Sequence, residues 1–201
     1  MELYLLRHGK SLANEQQLVC GSSDYPLSQE GREQAQRVCE TLKNIPFTRI
    51  YSSPLSRAVN TIAGLACGNR VKLEDELKEL NTGDVSHITL SELWERDARF
   101  RQPWLSPDLR YPGGETFREM IARITGWYGN NANGWSNDDR VLIAGHEGTL
   151  RSIYLYLMSL DISLYPDFPI SNCDYLYFKI SHRKVLEFKH VTLAGLKGEV
   201  I

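Results

Sequence analysis

The chain has 201 residues, of which 42% are hydrophobic and 24% are charged, and its formal net charge at pH 7 is -2. This composition is typical of a globular protein, and the charge argues against a general nucleic-acid binder, because affinity for a phosphate backbone needs a basic surface. No apolar stretch approaches the ~20 residues that span a bilayer, and the first residues lack the pattern of a secretory signal. The spacing of the cysteines is typical of neither a disulfide framework nor a zinc site; they are Cys20, Cys39, Cys67 and Cys173. We therefore expect a cytoplasmic protein without membrane or nucleic-acid partners.

The first predicted element is a short apolar strand that ends in Arg7-His8-Gly9. Such a run is typical of a buried strand, whose carboxyl end is where α/β proteins bind ligands. Gly9 allows a tight turn, and Asn14 adds a short hydrogen-bonding side chain just beyond it. The stretch is suited to binding an anion, although Arg-His-Gly alone is more typical of an ordinary polar loop.

The next elements are a helix and a second strand. Ser28 is the predicted N-cap of the helix, and residues 48–52 form the strand. Ser53 and Pro54 then read as an N-cap followed by proline at the first helical position. Arg57 would lie in the first turns of that helix, where a guanidinium and exposed backbone N–H groups would face the edge of the sheet.

The middle of the chain concentrates carboxylates and then loses regularity. Most carboxylates between residues 74 and 84 are expected to be solvated, but one beside a phosphate site could act as a general acid. Residues 89–101 have a helical pattern, and a loop rich in proline and aromatic residues covers 102–114. We expect a single domain over residues 1–201 with a cap insertion around residues 87–135, and either a monomer or a homodimer.

A second strand of the same design lies at residues 141–144 and ends in Gly145-His146. Because the carboxyl ends of parallel strands meet at one edge, both imidazoles should lie there together. The chain closes with two strands around a turn, at 174–180 and 185–191. The order of elements predicts an α/β three-layer sandwich: a mostly parallel central sheet, helices on both faces and a C-terminal antiparallel pair.

These residues fit phosphoryl transfer. His8 would attack the phosphorus in line, arginines would bind the equatorial oxygens, and His146 would donate a hydrogen bond to the same charge. A backbone carbonyl near Gly9 could hold the His8 ring in the required tautomer. We expect no metal ion and no cofactor, because Arg7 and Arg57 supply the positive charge that magnesium would bring.

Four segments carry a family resemblance: residues 6–14, 26–31, 52–58 and 145–148. Their sequences and order resemble those of the histidine phosphatase superfamily, which includes cofactor-dependent phosphoglycerate mutases. The resemblance covers nearly the whole chain and implies a phosphohistidine on His8. It also implies that the phosphate is bound by four residues: Arg7, Asn14, Arg57 and His146.

The family's general acid is usually a Glu in a Leu-x-Glu segment ahead of a Gly, which implies Glu79 as the proton donor. The sequence departs from the common pattern at three positions. Lys10 stands where Glu or Gln is usual, His87 where a Gly often closes the acid loop, and Glu147 where a small residue is common. These departures bear on substrate preference more than on the chemistry.

Residues 112–116, Pro-Gly-Gly-Glu-Thr, resemble a segment of small bacterial phosphatases, among them α-ribazole phosphatases of cobalamin biosynthesis. The resemblance implies hydrolysis of a small phosphorylated metabolite, with α-ribazole phosphate favoured. Trp104, Tyr111 and Phe117 could stack on its base or simply pack within the loop. The alternatives are a phosphoglycerate mutase, a broad-specificity sugar-phosphate phosphatase and, from another class, an inactive regulatory module that binds a phospho-ligand.

Overall fold

A six-stranded sheet runs through the centre of the computed structural model, which describes residues 1–65, 71–167 and 169–195. The strands are β1 (Glu2–Arg7), β2 (Arg49–Ser52), β3 (Val71–Leu73), β4 (Arg140–Gly145), β5 (Tyr175–Ser181) and β6 (Lys184–Val191). They lie in the order β3-β2-β4-β1-β5-β6, with the first four parallel and β5 and β6 antiparallel. The predicted sheet, including its C-terminal antiparallel pair, is confirmed.

Helices cover both faces of this sheet. The α-helices of the described residues are α1 (Leu12–Glu15), α2 (Gln29–Leu42), α3 (Ser56–Thr61), α4 (Leu90–Arg96), α5 (Phe117–Ala132) and α6 (Glu147–Met158). Short 3₁₀ turns lie at Asp75–Leu77, Gly83–Val85, Ala98–Arg101, Pro103–Leu105 and Ile162–Asp167.

Two hydrophobic cores result from the alternation of side chains along the strands. Leu5 of β1 packs into the core that includes α5 and α6, whereas Leu6 packs into the core that includes α2. A strand buried on both faces reads as a continuous apolar run, which is why β1 and β4 are visible in the sequence. Cys39 is buried in the second core, and Cys67 lies outside the described residues.

Of two predicted helix N-caps, one is confirmed and one is wrong. Ser28 caps α2 as predicted, since its hydroxyl accepts from the Gly31 N–H at 3.0 Å. The predicted cap at Ser53 is wrong, because α3 begins at Ser56 and its N-terminal N–H donates to an Asp24 carboxylate oxygen at 2.8 Å. Arg57 is therefore the second residue of α3.

The segment between β3 and β4 contains the predicted cap region. From residue 87 to 113 it consists of α4 and short 3₁₀ turns, and α5 then buries Met120 and Ile124 in the first core. The division into one domain with a cap over residues 87–135 stays a prediction. In the part of the chain that the structure describes, no helix is both long and apolar enough to cross a membrane.

Candidate active site

Two parallel strands end side by side and place two histidines at one edge of the sheet. Arg7 at the end of β1 pairs in register with Gly145 at the end of β4. The next residue of each chain segment is a histidine, and the His8 N–H donates to the Gly145 carbonyl at 3.0 Å. The ring centroids of His8 and His146 are 5.1 Å apart. The structure therefore brings the two imidazoles together where the sequence predicts them.

The His8 ring is buried and held in one orientation. Its Nδ1 atom lies 2.6 Å from the Gly9 carbonyl oxygen, which can only accept a hydrogen bond, so Nδ1 carries the proton and Nε2 is left with a lone pair. Burial, followed by the positive charges of Arg57 and Arg7, lowers the pKa of His8 well below its usual range; the Gly9 hydrogen bond opposes this shift. His8 is thus a neutral imidazole with a nucleophilic nitrogen.

Gly9 lets the strand end approach α2 closely. A Cβ atom at this position would lie 2.6 Å from the backbone oxygen of Gly31, which is closer than two such atoms can pack. The Gly9 N–H donates to the Thr61 hydroxyl at 2.9 Å and so ties the loop to α3 as well. These contacts fix the backbone that carries the His8 ring.

Two arginines supply the positive charge of the site. Arg57 is fully buried and donates to the backbone oxygens of Gly21 and Ser23 at 2.7 and 2.8 Å. Arg7 donates to the Ile170 carbonyl and forms an ion pair with Glu147 at 2.9 Å. The Nε atoms of both arginines are buried and have no hydrogen-bond partner. Both guanidiniums can therefore still donate to an anion.

His146 presents a third unpartnered donor. The Ser53 hydroxyl accepts from the Leu55 N–H at 3.3 Å and lies 2.8 Å from His146 Nε2, so it can donate to that nitrogen. Burial, followed by the Arg57 charge, lowers the pKa of His146 well below its usual range. The neutral ring then carries its proton on Nδ1, which is buried without a partner. The role of Ser53 here was not predicted, because Ser-Pro before a helix reads as a cap.

Asn14 lies next to this cluster, and its side-chain carbonyl oxygen already accepts hydrogen bonds. Its carbonyl oxygen accepts from the Ser11 N–H at 3.1 Å in the capping box of α1 and from Asn172 at 3.4 Å. Asn172 also donates to the backbone oxygen of His8 at 3.0 Å. The Nδ2 amide is consequently the end of Asn14 that can donate to a phosphate oxygen.

Glu79 joins the site through the first turn of α6. Its carboxylate accepts from the Gly148 N–H and from the Leu80 N–H, each at 3.0 Å. Because Gly148 lies two residues after His146, these bonds place the predicted proton donor at the start of the helix that follows the second imidazole. Glu79 is half-buried, which leaves it accessible to a substrate.

Arg123 of α5 holds the segment that carries Glu79. Its guanidinium donates to the backbone oxygens of Glu76 and Lys78 at 2.6 and 3.1 Å and pairs with Glu115 at 2.6 Å. Glu115 in turn accepts from the Asn81 N–H at 2.8 Å. Sequence reasoning missed Arg123, because an arginine on an amphipathic helix is usually solvated and no local pattern marks it.

Lys10 and His87, two of the departures from the family pattern, bond to side chains outside the two imidazoles and two arginines. Lys10 forms an ion pair with Glu30 at 2.6 Å, and both side chains are substantially exposed. His87 hydrogen-bonds to the Tyr25 hydroxyl.

The aromatic residues considered for base stacking mostly belong to the core. Tyr111 packs on Phe100 with ring centroids 4.4 Å apart, and Phe117 packs on Tyr165 at 4.6 Å. Both are buried, so the packing alternative holds for Tyr111 and Phe117, and stacking by them on a base is wrong. Trp104 is half-buried and stacks on Tyr165 at 6.1 Å.

The donor set fits an anion better than a cation. Within residues 1–65, 71–167 and 169–195, no three His, Cys, Asp or Glu side chains are grouped so as to hold a metal ion. The charges of Arg57 and Arg7 act on both His8 and His146. Such a field attracts phosphate and repels metal cations.

Comparison with known proteins supports the resemblance. The family model of the histidine phosphatase superfamily (branch 1) matches residues 3–191. A Salmonella choleraesuis (strain SC-B67) protein named "Probable phosphoglycerate mutase GpmB" is 33% identical over 128 residues, which are 62% of this chain and 60% of that protein. The match thus spans less than two thirds of this relative's length.

Solved structures show the same fold. The alpha-ribazole phosphatase from Shigella flexneri has a TM-score of 0.81 at 25% identity, with 95% of this chain and 96% of that chain covered. A mycobacterial glucosyl-3-phosphoglycerate phosphatase has a TM-score of 0.80 at 24% identity, with 94% and 96% covered. With a family model that spans almost the whole chain, and with this fold, the chain belongs to the histidine phosphatase superfamily, branch 1.

Proposed function

We propose that this protein hydrolyses phosphomonoesters without a metal ion, through a phosphohistidine intermediate on His8. The observation that carries the proposal is a set of buried, unpartnered nitrogens around a neutral imidazole: Arg7 Nε, Arg57 Nε and His146 Nδ1. A buried donor without a partner costs about 1–3 kcal/mol. A phosphoryl group bound against His8 would satisfy these donors.

The chemistry follows in two steps. In the first, His8 Nε2 attacks the phosphorus, the Nε2–P bond forms, the ester P–O bond breaks, and the Glu79 carboxyl gives its proton to the leaving oxygen. In the second, water attacks the phosphohistidine while Glu79 takes a proton from it, and the Nε2–P bond breaks. Inorganic phosphate leaves, and both residues return to their starting states.

The remaining residues stabilise the negative charge of the phosphoryl group. Arg7, Arg57, Asn14 and His146 would donate to the phosphoryl oxygens. Donors that are oriented before the reaction stabilise the transition state without reorganising, which is the largest catalytic term in most phosphoryl transfers. Burial strengthens each of these interactions, because little water competes for the oxygens.

The favoured substrate is α-ribazole phosphate, as a step of cobalamin biosynthesis. The Pro-Gly-Gly-Glu-Thr segment at residues 112–116 and the fold shared with the Shigella flexneri enzyme support this choice. The buried Tyr111 and Phe117 do not contribute a base-stacking surface, so Trp104 is the remaining aromatic candidate of the predicted three.

A phosphoglycerate mutase is the second candidate, because the Salmonella relative carries that name at 33% identity. A mutase returns the phosphoryl group of the same phosphohistidine to a second hydroxyl instead of to water. The two activities therefore share His8 and differ in which acceptor the site retains.

The test is phosphate release from a panel that contains α-ribazole phosphate, phosphoglycerates, sugar phosphates and an aryl phosphate, in excess chelator, with His8→Ala as the control. Selective hydrolysis of α-ribazole phosphate by the wild type alone is the expected result. Broad hydrolysis would point to a general phosphatase, and exchange between phosphoglycerates without net release would point to the mutase. Phosphate binding without turnover would overturn the enzymatic proposal in favour of a regulatory module.

A further inference from the structure

Glu147 places a carboxylate inside a site that otherwise binds anions. It is the first residue of α6 and follows His146 directly. One oxygen pairs with Arg7 at 2.9 Å, and the other accepts from Arg151. The side chain is 32% exposed, so it remains accessible from solvent.

The partner Arg151 is itself fixed, which holds Glu147 in place. Arg151 is buried, donates to the Tyr165 carbonyl at 3.0 Å and lies over the Tyr165 ring at 5.0 Å. An ion pair with one immobile, buried member loses less side-chain entropy than one between two mobile side chains. The Glu147 charge is thus a lasting feature of the site.

This charge lies on the side of the leaving group. Glu79 accepts a hydrogen bond from the N–H of Gly148, the residue after Glu147, at 3.0 Å. Both carboxylates therefore lie at the start of α6. Since Glu79 is the group that protonates the leaving oxygen, Glu147 faces the portion of the substrate beyond that oxygen.

We propose that Glu147 is a specificity-determining residue, which disfavours phosphomonoesters with a carboxylate or second phosphate beside the ester and favours leaving groups that carry hydroxyl donors. The inference rests on the proposed function and names its substrate class. A substrate carboxylate in that position meets the Glu147 charge and finds the Arg7 and Arg151 guanidiniums already paired, which is enough to change a binding constant by about tenfold. A hydroxyl in the same position donates to the carboxylate instead.

The matched substrate pair for the test is 3-phosphoglycerate and glycerol 3-phosphate, which differ in a carboxylate against a hydroxymethyl group. The wild type should favour glycerol 3-phosphate in kcat/KM by about tenfold or more. Glu147→Gln should reduce that ratio by about tenfold, and Glu147→Asp, which keeps the charge, should retain the preference. Glu187→Gln on β6 removes the same charge outside the site and should leave the ratio unchanged.

The same ratios are measured as dissociation constants in the His8→Ala background, where no turnover is needed. A change of less than twofold between Glu and Gln at position 147, in a variant that still unfolds cooperatively, would overturn the inference. So would a wild type that prefers 3-phosphoglycerate. If the wild type binds the two ligands with different affinities but hydrolyses neither, the proposed function is overturned and this inference stands.

Discussion

The proposed anion site (Arg7, His8, Arg57 and His146) and the carboxylate pair (Glu79 and Glu147) are built in different ways. The anion site is assembled from strand ends and a helix start, and its two imidazoles and Arg57 are buried. The carboxylate pair is half-buried; Glu79 lies in a loop, and Glu147 is held by ion pairs with Arg7 and Arg151. The buried anion site suits phosphoryl transfer, which is the same for every substrate. The more accessible carboxylate pair suits the leaving group, which differs between substrates.

The largest loss of activity is expected from Arg57→Gln, which removes the buried positive charge of the anion site. The loss in kcat/KM should be about 10²–10³-fold for every phosphomonoester, because a preorganised donor to the phosphoryl oxygens is lost. Steady-state kinetics measure the loss, and a thermal unfolding curve controls for stability. A loss of less than threefold in a folded variant would exclude Arg57 from the anion site.

Glu79→Gln should impair protonation of the leaving group without changing how the anion site binds the phosphoryl group. We expect a loss of about 10²-fold for an alkyl phosphate, whose leaving oxygen needs a proton, and little change for an activated aryl phosphate. The amide retains an oxygen that can accept from the Gly148 N–H, so the local structure should persist. Equal losses on both substrates would remove Glu79 from the role of general acid.

Ser53→Ala tests the tautomer of His146 with a smaller change. The variant removes the hydroxyl that lies 2.8 Å from Nε2, so the proton is no longer directed to Nδ1. We expect kcat to fall by about tenfold, on the scale of one neutral hydrogen bond. Ser56→Ala is the matched control, because its hydroxyl bonds to Asp24 outside the site. Equal behaviour of the two variants would contradict the assignment.

The smallest effect is a pH dependence of stability. Burial, followed by the Arg57 charge, lowers the pKa values of His8 and His146, whereas histidines in the unfolded chain titrate near about 6.5. Below that pH the unfolded state binds protons that the folded state does not. Stability is therefore fully present above about pH 6.5 and falls as the pH drops, while most carboxylates remain ionised.

Urea denaturation between about pH 7.5 and about pH 5.5, without phosphate, measures this slope. Each linked proton contributes at most about 1.4 kcal/mol per pH unit. His146→Gln should give a shallower slope than the wild type. The same slope in both proteins would show that His146 is not the linked group.

The sequence predicts that His8 and His146 lie together because the signals for this placement are local. An apolar strand followed by a functional residue is visible twice, at His8 and His146, and parallel pairing then brings the two together. The contacts of Ser53 with His146 and of Arg123 with the Lys78 backbone were not predicted, because they join positions 93 and 45 residues apart. The α3 start was misplaced for the same reason, since its cap is Asp24 from a distant loop. Long-range side-chain contacts leave no spacing in the sequence.

The central claim is that His8 carries the phosphoryl group. The most direct test is to quench the wild type during turnover of an aryl phosphate and to locate the phosphoryl group by peptide mass spectrometry, with His8→Ala in parallel. We expect an acid-labile phosphoryl group on the peptide with His8 and none in the variant. Phosphorylation of another residue, or turnover in His8→Ala at the wild-type rate, would contradict it.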